Sequence, residues 1–139
     1  MFYQYRLRPN GEGGYIITFE DVAEAISEGA TREEALANGA DALEVALLGR
    51  MKDGDTIPAG LGSPGKDRIG LSAQAGAKLA FYEAFKASGL SRVALAKRLG
   101  KDEAEVRRML DPHHATKLPA LEQGLAALGK RLHLILEDA

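Results

Sequence analysis

Polar and apolar residues alternate from Phe2 to Arg8, setting Tyr3, Tyr5 and Leu7 on one side of an extended chain, which predicts a strand. Pro9-Asn10-Gly11-Glu12-Gly13-Gly14 comes next, a run whose glycines and asparagine tolerate positive φ and turn the chain. Tyr15-Ile16-Ile17-Thr18-Phe19, β-branched and aromatic, predicts a second strand and with the first an antiparallel hairpin. A short third strand is expected near Ala25-Ile26-Ser27. The period then changes. Thr31-Arg32-Glu33-Glu34 reads as a capping box, and Leu36, Ala40, Leu43 and Leu47 fall on one helical face, predicting a helix to about Met51 that covers the sheet.

Asp53 to Lys66 carries Gly54, Pro58, Gly60, Gly62, Pro64 and Gly65, and is the expected linker (about 53–66). A short strand at Arg68-Ile69-Gly70-Leu71 is expected to complete the front sheet. From Ser72 the pattern is helical. Ala77, Leu79, Ala80, Ala84 and Phe85 supply a face to bury, Gly89 a C-cap, and Ser91 an N-cap for the next helix. A further helix is expected from about Pro119 to Leu128. Leu132-His133-Leu134-Ile135-Leu136 alternates again and predicts a terminal strand, pairing with its own domain or with the same strand of a second subunit. The expected fold class is α+β: an antiparallel sheet plus helix over residues 1–70, then an all-α domain with a terminal strand over 71–139.

Composition bounds the function. The chain has 139 residues, 45% of them hydrophobic and 27% charged, values normal for a folded protein. It contains no cysteine, which excludes disulfides and thiolate metal sites. No stretch approaches the ~20 apolar residues that span a bilayer, and Met1–Arg8 lacks the apolar core of a signal peptide, so a cytoplasmic protein with no membrane partner is expected. The net charge of −2 hides an asymmetry: residues 1–66 hold 6 Lys/Arg against 11 Asp/Glu, and residues 67–139 hold 12 against 9. An acidic front and a basic back suit partners of opposite sign.

The sharpest local signal runs from Arg92 to Leu110. Two short helices that cross steeply need a small residue at the contact, and Ala96 provides it. The turn between them needs a left-handed backbone, which Gly100 accepts. Leu95, Leu99, Val106 and Met109 then fill a small shared core. This Ala-x3-Gly-x5-Val-x2-Met spacing resembles the helix-turn-helix of phage-repressor-type regulators. In such a motif the second helix enters the major groove and its outward residues are Asp102, Glu103, Glu105, Arg107 and Arg108. From Lys86 to Lys117 there are 8 Lys/Arg and 4 acids, a local excess that favours a polyanion. The expected DNA-binding residues are Arg107 and Arg108 first, Arg92, Lys101 and Lys117 on phosphates, with Ser91 and Glu103 alongside; Glu103 is suited to accept from a cytosine amine. Asp102 and Glu103 also complement a helix N-terminus.

Gly13-Gly14-Tyr15-Ile16-Ile17-Thr18-Phe19-Glu20-Asp21, then Gly29-Ala30-Thr31-Arg32-Glu33-Glu34-Ala35-Leu36-Ala37-Asn38, resembles the front domain of HicB antitoxins. Leu95–Gly100, Val106–His114, Leu121-Glu122 and Ala127–Leu132 are similar to the DNA-binding tail of the same family. The resemblance covers nearly the whole chain and is carried by the order of the parts. It implies a front domain with a partial ribonuclease H-like fold that has lost catalysis. It also implies a HicA-type partner, a small basic toxin that cuts messenger RNA, and repression of the chain's own operon through operator double-stranded DNA. A homodimer or higher homo-oligomer is expected, because one short recognition helix reads little sequence alone. Tyr15, Glu20, Asp21 and Glu24 are the expected toxin-binding residues, since acidic groups complement a basic partner.

Other constellations predict no catalytic residues, no metal and no cofactor. Two-metal nuclease chemistry needs converging carboxylates, and the first strand contains none. His113 and His114 are adjacent, so their side chains diverge, and His133 is remote. Ser72 and Ser91 are better used as caps than as nucleophiles. Gly11–Gly14 lacks the strand-to-helix setting of a phosphate loop. Two readings from other classes stand beside the antitoxin: a stand-alone helix-turn-helix transcription regulator with a ligand-sensing N-terminal domain, and a small ribonuclease H-like enzyme, which the missing carboxylates disfavour.

Overall fold

The computed structural model describes residues 1–138, and the chain divides into two compact units. The first comprises Met1–Arg50 and Ile57–Leu71; the second comprises Met51–Thr56 and the chain from Ser72 onward. The glycine- and proline-rich stretch 53–66 is thus shared between them.

In the first unit β1 (Phe2–Pro9), β2 (Tyr15–Phe19), β3 (Ile26–Gly29) and β4 (Arg68–Gly70) form an antiparallel sheet in the order β3-β2-β1-β4. The β1–β2 turn is built by Asn10, whose Oδ1 accepts from the amides of Glu12 (2.8 Å) and Gly14 (3.0 Å), while Gly11 and Gly13 take positive φ. The register places Tyr5 opposite Phe19, Leu7 opposite Ile17 and Pro9 opposite Tyr15. β4 pairs with β1 only from Phe2 to Gln4. Ile57 is buried, and Leu61 exchanges both backbone hydrogen bonds with Phe2, so the end of the Gly/Pro-rich stretch is fastened to the sheet.

Helix α1 (Arg32–Lys52) begins where Thr31 Oγ1 accepts from the amide of Glu34 at 3.1 Å. Its buried stripe is Ala35, Gly39, Leu43 and Leu47, a residue earlier at its N-terminal end than the Leu36–Ala40 spacing predicts. The cause is close approach to the sheet. A Cβ on Gly39 would lie 2.5 Å from Ile17 Cδ1, so this turn of α1 rests on the smallest side chain available.

The second unit contains α2 (Ala73–Ser88), α3 (Arg92–Leu99), α4 (Glu103–Met109) and α5 (Leu118–Ala127). Ser72, Ser91 and Asp102 cap α2, α3 and α4 through side-chain oxygens, and Gly89 and Gly100 close α2 and α3 in the left-handed conformation. The core gathers Ala77, Phe81, Leu95, Ala96, Val106, Met109, Leu121 and Leu125, with Leu99 packed at its margin. Phe81, Tyr82 and Lys78 are buried on α2 besides the predicted Ala77 and Leu79, so α2 is covered over more than one face. Within the single chain the predicted terminal strand does not pair with its own unit: residues 130–138 have no regular structure, and Leu134, Ile135 and Leu136 are exposed. Alternation alone does not make a strand. Its backbone needs an open sheet edge, and this unit contains only helices.

Candidate functional site

The helical unit brings one set of expected residues together. α3 and α4 are joined by Gly100-Lys101-Asp102. Gly100 turns the chain at φ 65°, and the Lys101 amide donates to the Ala96 carbonyl at 3.0 Å. Val106 and Met109 are buried on α4, which leaves Arg107 and Arg108 outward. Glu103, in the first turn of α4, sits between two cations: Arg92 Nε lies 3.1 Å from Oε1, and Arg107 Nη1 lies 3.7 Å from Oε2. Arg108 Nη2 pairs with Glu105 Oε2 at 2.6 Å. This contact draws the Glu105 carboxyl below its usual range and raises the guanidinium of Arg108. The two acids therefore orient three arginines. Ser91 Oγ accepts from the Ala94 amide at 3.0 Å, so its hydroxyl already serves a helix end. Lys101 lies in the α3–α4 turn, and Lys117 is an exposed residue just before α5.

Sequence reasoning missed Lys78. Its side chain is only 3% exposed, and its Nζ donates to the carbonyls of Asp111 (2.8 Å) and His114 (2.8 Å) and to Thr116 Oγ1 (2.9 Å), with the Arg108 carbonyl at 3.5 Å. Burial lowers its pKa to about 8, and the charge of Asp111 opposes that shift. Gln74, one turn earlier, donates to the Thr116 carbonyl. The signal that marks Lys78 in the sequence is a single cation inside the otherwise apolar run Ala77–Tyr82.

In the sheet unit, Tyr15 and Glu20 line one open concavity of about 850 Å³, together with Arg6, Arg8, Arg32 and Asp67. Its charge is mixed rather than acidic. Arg32 Nη2 lies 3.3 Å from Tyr5 Oη. Asp21 is exposed in the turn after β2 and does not line that concavity. Glu24 is engaged elsewhere: its carboxylate takes a two-pronged contact from Arg50, at 2.6 and 2.7 Å. That guanidinium holds the Glu24 carboxyl down to about 2.

A family model described as the HicB-like antitoxin of bacterial toxin–antitoxin systems matches residues 3–80. The chain belongs to the HicB-like antitoxin family. Antitoxin HicB of Escherichia coli is 36% identical over 139 residues, covering 98% of this chain and 99% of the relative. Antitoxin HicB 1 of Photorhabdus laumondii is 36% identical over 137 residues, covering 99% and 88%. Antitoxin HicB of Pseudomonas fluorescens is 33% identical over 142 residues, covering 100% and 97%. The HicB-like family match takes in β1 to β4, α1 and the first half of α2, Lys78 included, while similarity to the HicB relatives continues through the later helices.

The remaining HicB-like chain offers little further chemistry. His113 is exposed, and its amide donates to Asp111 Oδ1 at 2.9 Å; His114 Nδ1 lies 2.8 Å from Thr116 Oγ1. The pair shapes the turn after Pro112. Among the described residues no group of three His, Asp or Glu is placed to hold a metal ion, and no helix is long and apolar enough to cross a membrane.

Proposed function

We propose that this HicB-like antitoxin has two working parts. The sheet unit, read as a partial ribonuclease H-like fold without catalysis, binds and neutralises a HicA-type mRNA-cleaving toxin. The α3–α4 pair, read as a helix-turn-helix, binds operator DNA and represses the chain's own operon. The observation that carries the DNA reading is the α3–Gly100–α4 arrangement, which buries Val106 and Met109 and leaves Arg107 and Arg108 on the outer face. Arg92 and Lys101 flank that face, and Lys117 adds a further cation for phosphates. On the toxin side, Tyr15 and Glu20 share a concavity that is open enough for a partner side chain. Asp21 is free in its turn to meet a basic surface. Glu24, paired with Arg50, completes the acidic set offered to the toxin. The protein works as a homodimer or higher oligomer, without cofactor and without enzymatic activity of its own.

The test is co-expression with the short reading frame beside the gene. A small basic protein that arrests growth alone, co-purifies with this chain and is neutralised by it supports the antitoxin reading. Arg107→Ala with Arg108→Ala is expected to abolish operator binding and leave neutralisation intact. Loss of both activities together refutes two separable parts.

A further inference from the structure

The α4 helix has only seven residues and ends at Leu110 without the left-handed glycine that closes α2 and α3. Two turns of helix do not hold a fixed position by themselves. The loop after α4, residues 110–117, turns carbonyls inward rather than to water. Those of Asp111 and His114 converge with the Thr116 hydroxyl on one buried point. Three convergent acceptors match the three protons of an ammonium group. Lys78 supplies that group, and its charge lies at the carbonyl end of α4, where a cation is favoured.

We infer that Lys78 is a positioning residue for DNA recognition: from α2, its ammonium fixes the C-terminal end of α4 and the loop after it, and so sets where Arg107 and Arg108 present their guanidinium groups. This inference rests on the DNA reading above. Four features support it. The distances of 2.8, 2.8 and 2.9 Å account for all three protons. The Arg108 carbonyl, on the residue whose side chain faces outward, lies 3.5 Å from the same nitrogen. Gln74 holds the Thr116 carbonyl from the same helix, one turn away, so the loop is tied to α2 at two points. An apolar residue at position 78 would leave these oxygens only their contacts inside the loop, from the His114 amide to Asp111 (3.2 Å), from the Thr116 amide to His114 (2.8 Å) and between His114 Nδ1 and the Thr116 hydroxyl (2.8 Å), none of which reaches α2. Base recognition by arginine is bidentate and directional, so a small displacement of α4 costs discrimination before it costs phosphate attraction.

The test compares full-length wild type, Lys78→Met and Thr116→Val. Three quantities are read: amide hydrogen exchange, affinity for DNA from the chain's own promoter region against random DNA of equal length, and affinity for the co-expressed toxin. Lys78→Met is expected to speed exchange across Arg107–Thr116 at least tenfold and to lower the specific-to-random ratio about tenfold. Toxin affinity stays within twofold. Thr116→Val, which removes one acceptor and leaves the other two, shows the same pattern at two- to fivefold. Wild-type exchange and wild-type discrimination in Lys78→Met overturn the inference; if that variant does not fold, the same result in Thr116→Val overturns it. An equal fall in toxin affinity marks general unfolding and also overturns it. If wild type does not prefer its promoter DNA, the DNA reading fails by itself, and unchanged exchange at Arg107–Thr116 is then what refutes the hold on α4.

Discussion

Gly39 and Gly49 lie in the same helix, and replacing each by alanine is expected to move stability in opposite directions. Inside a helix, Ala is favoured over Gly by about 1 kcal/mol, because glycine loses more backbone freedom on folding. At Gly49 a Cβ meets nothing within 4 Å, so Gly49→Ala gains that amount. At Gly39 the new methyl lies 2.5 Å from Cδ1 and 2.8 Å from Cγ2 of Ile17, a side chain that is fully buried on β2. Either Ile17 or the helix must shift to admit it, and overpacking of this kind costs about 1–3 kcal/mol. Set against the same helical gain, Gly39→Ala loses roughly 1 kcal/mol. The two variants should therefore differ by about 2 kcal/mol, which for a unit of this size separates their melting temperatures by roughly 10 °C. Urea and thermal unfolding followed by circular dichroism measure the difference, and hydrogen exchange in α1 assigns the transition to the sheet unit. If Gly39→Ala is as stabilising as Gly49→Ala, the close seating of α1 on β2 is wrong.

Three further expectations concern charges and caps. The Glu24–Arg50 pair contributes stability that is complete above about pH 4.5 and is lost as pH falls through about 2, because the native carboxyl titrates below its unfolded value. Both side chains are partly exposed, so screening limits the gain to about 1 kcal/mol, and urea unfolding of Glu24→Gln between pH 7 and pH 2 should lack this limb. Glu103→Gln releases Arg92 and Arg107 from their shared acid; random-DNA affinity should rise severalfold with a steeper salt dependence, and an unchanged salt slope in a filter-binding titration would count against an outward role for those arginines. Ser91→Ala removes the α3 cap and should cost about 1 kcal/mol by denaturant titration, with Ser91→Gly costing less.

What the sequence made legible was local. The β1–β2 hairpin, α1 and the caps Thr31, Ser72, Ser91, Gly89 and Gly100 come from spacings of a few residues, and the helix ends agree within a residue or two. The α3–α4 core was legible because Ala96, Gly100, Val106 and Met109 act over one turn of chain. The order β3-β2-β1-β4 was not, because β4 reaches β1 across more than sixty positions. Lys78 and Glu24 were hidden for the same reason: their partners lie 26 or more residues away, and a charged letter does not say whether a distant loop will bury it. At Leu132–Leu136 the alternating pattern was present, but the chain's own helical unit offers no sheet edge to receive it.

The way the chain threads through its two units bears on inheritance. Six residues from the end of α1 and just beyond, Met51–Thr56, belong to the helical unit, although the rest of that unit begins at Ser72. They are not decoration there: Tyr82 Oη donates to the Asp55 carbonyl at 2.9 Å, and Lys86 Nζ donates to that of Gly54 at 2.9 Å. A gene fragment begun at Ser72 would encode the helices without this inserted strip. Exchange of the back half between related genes at that point would likewise leave the strip behind in the other gene. The module that keeps these two contacts starts inside α1, at Met51, so a boundary drawn at Ser72 would part each donor from its acceptor.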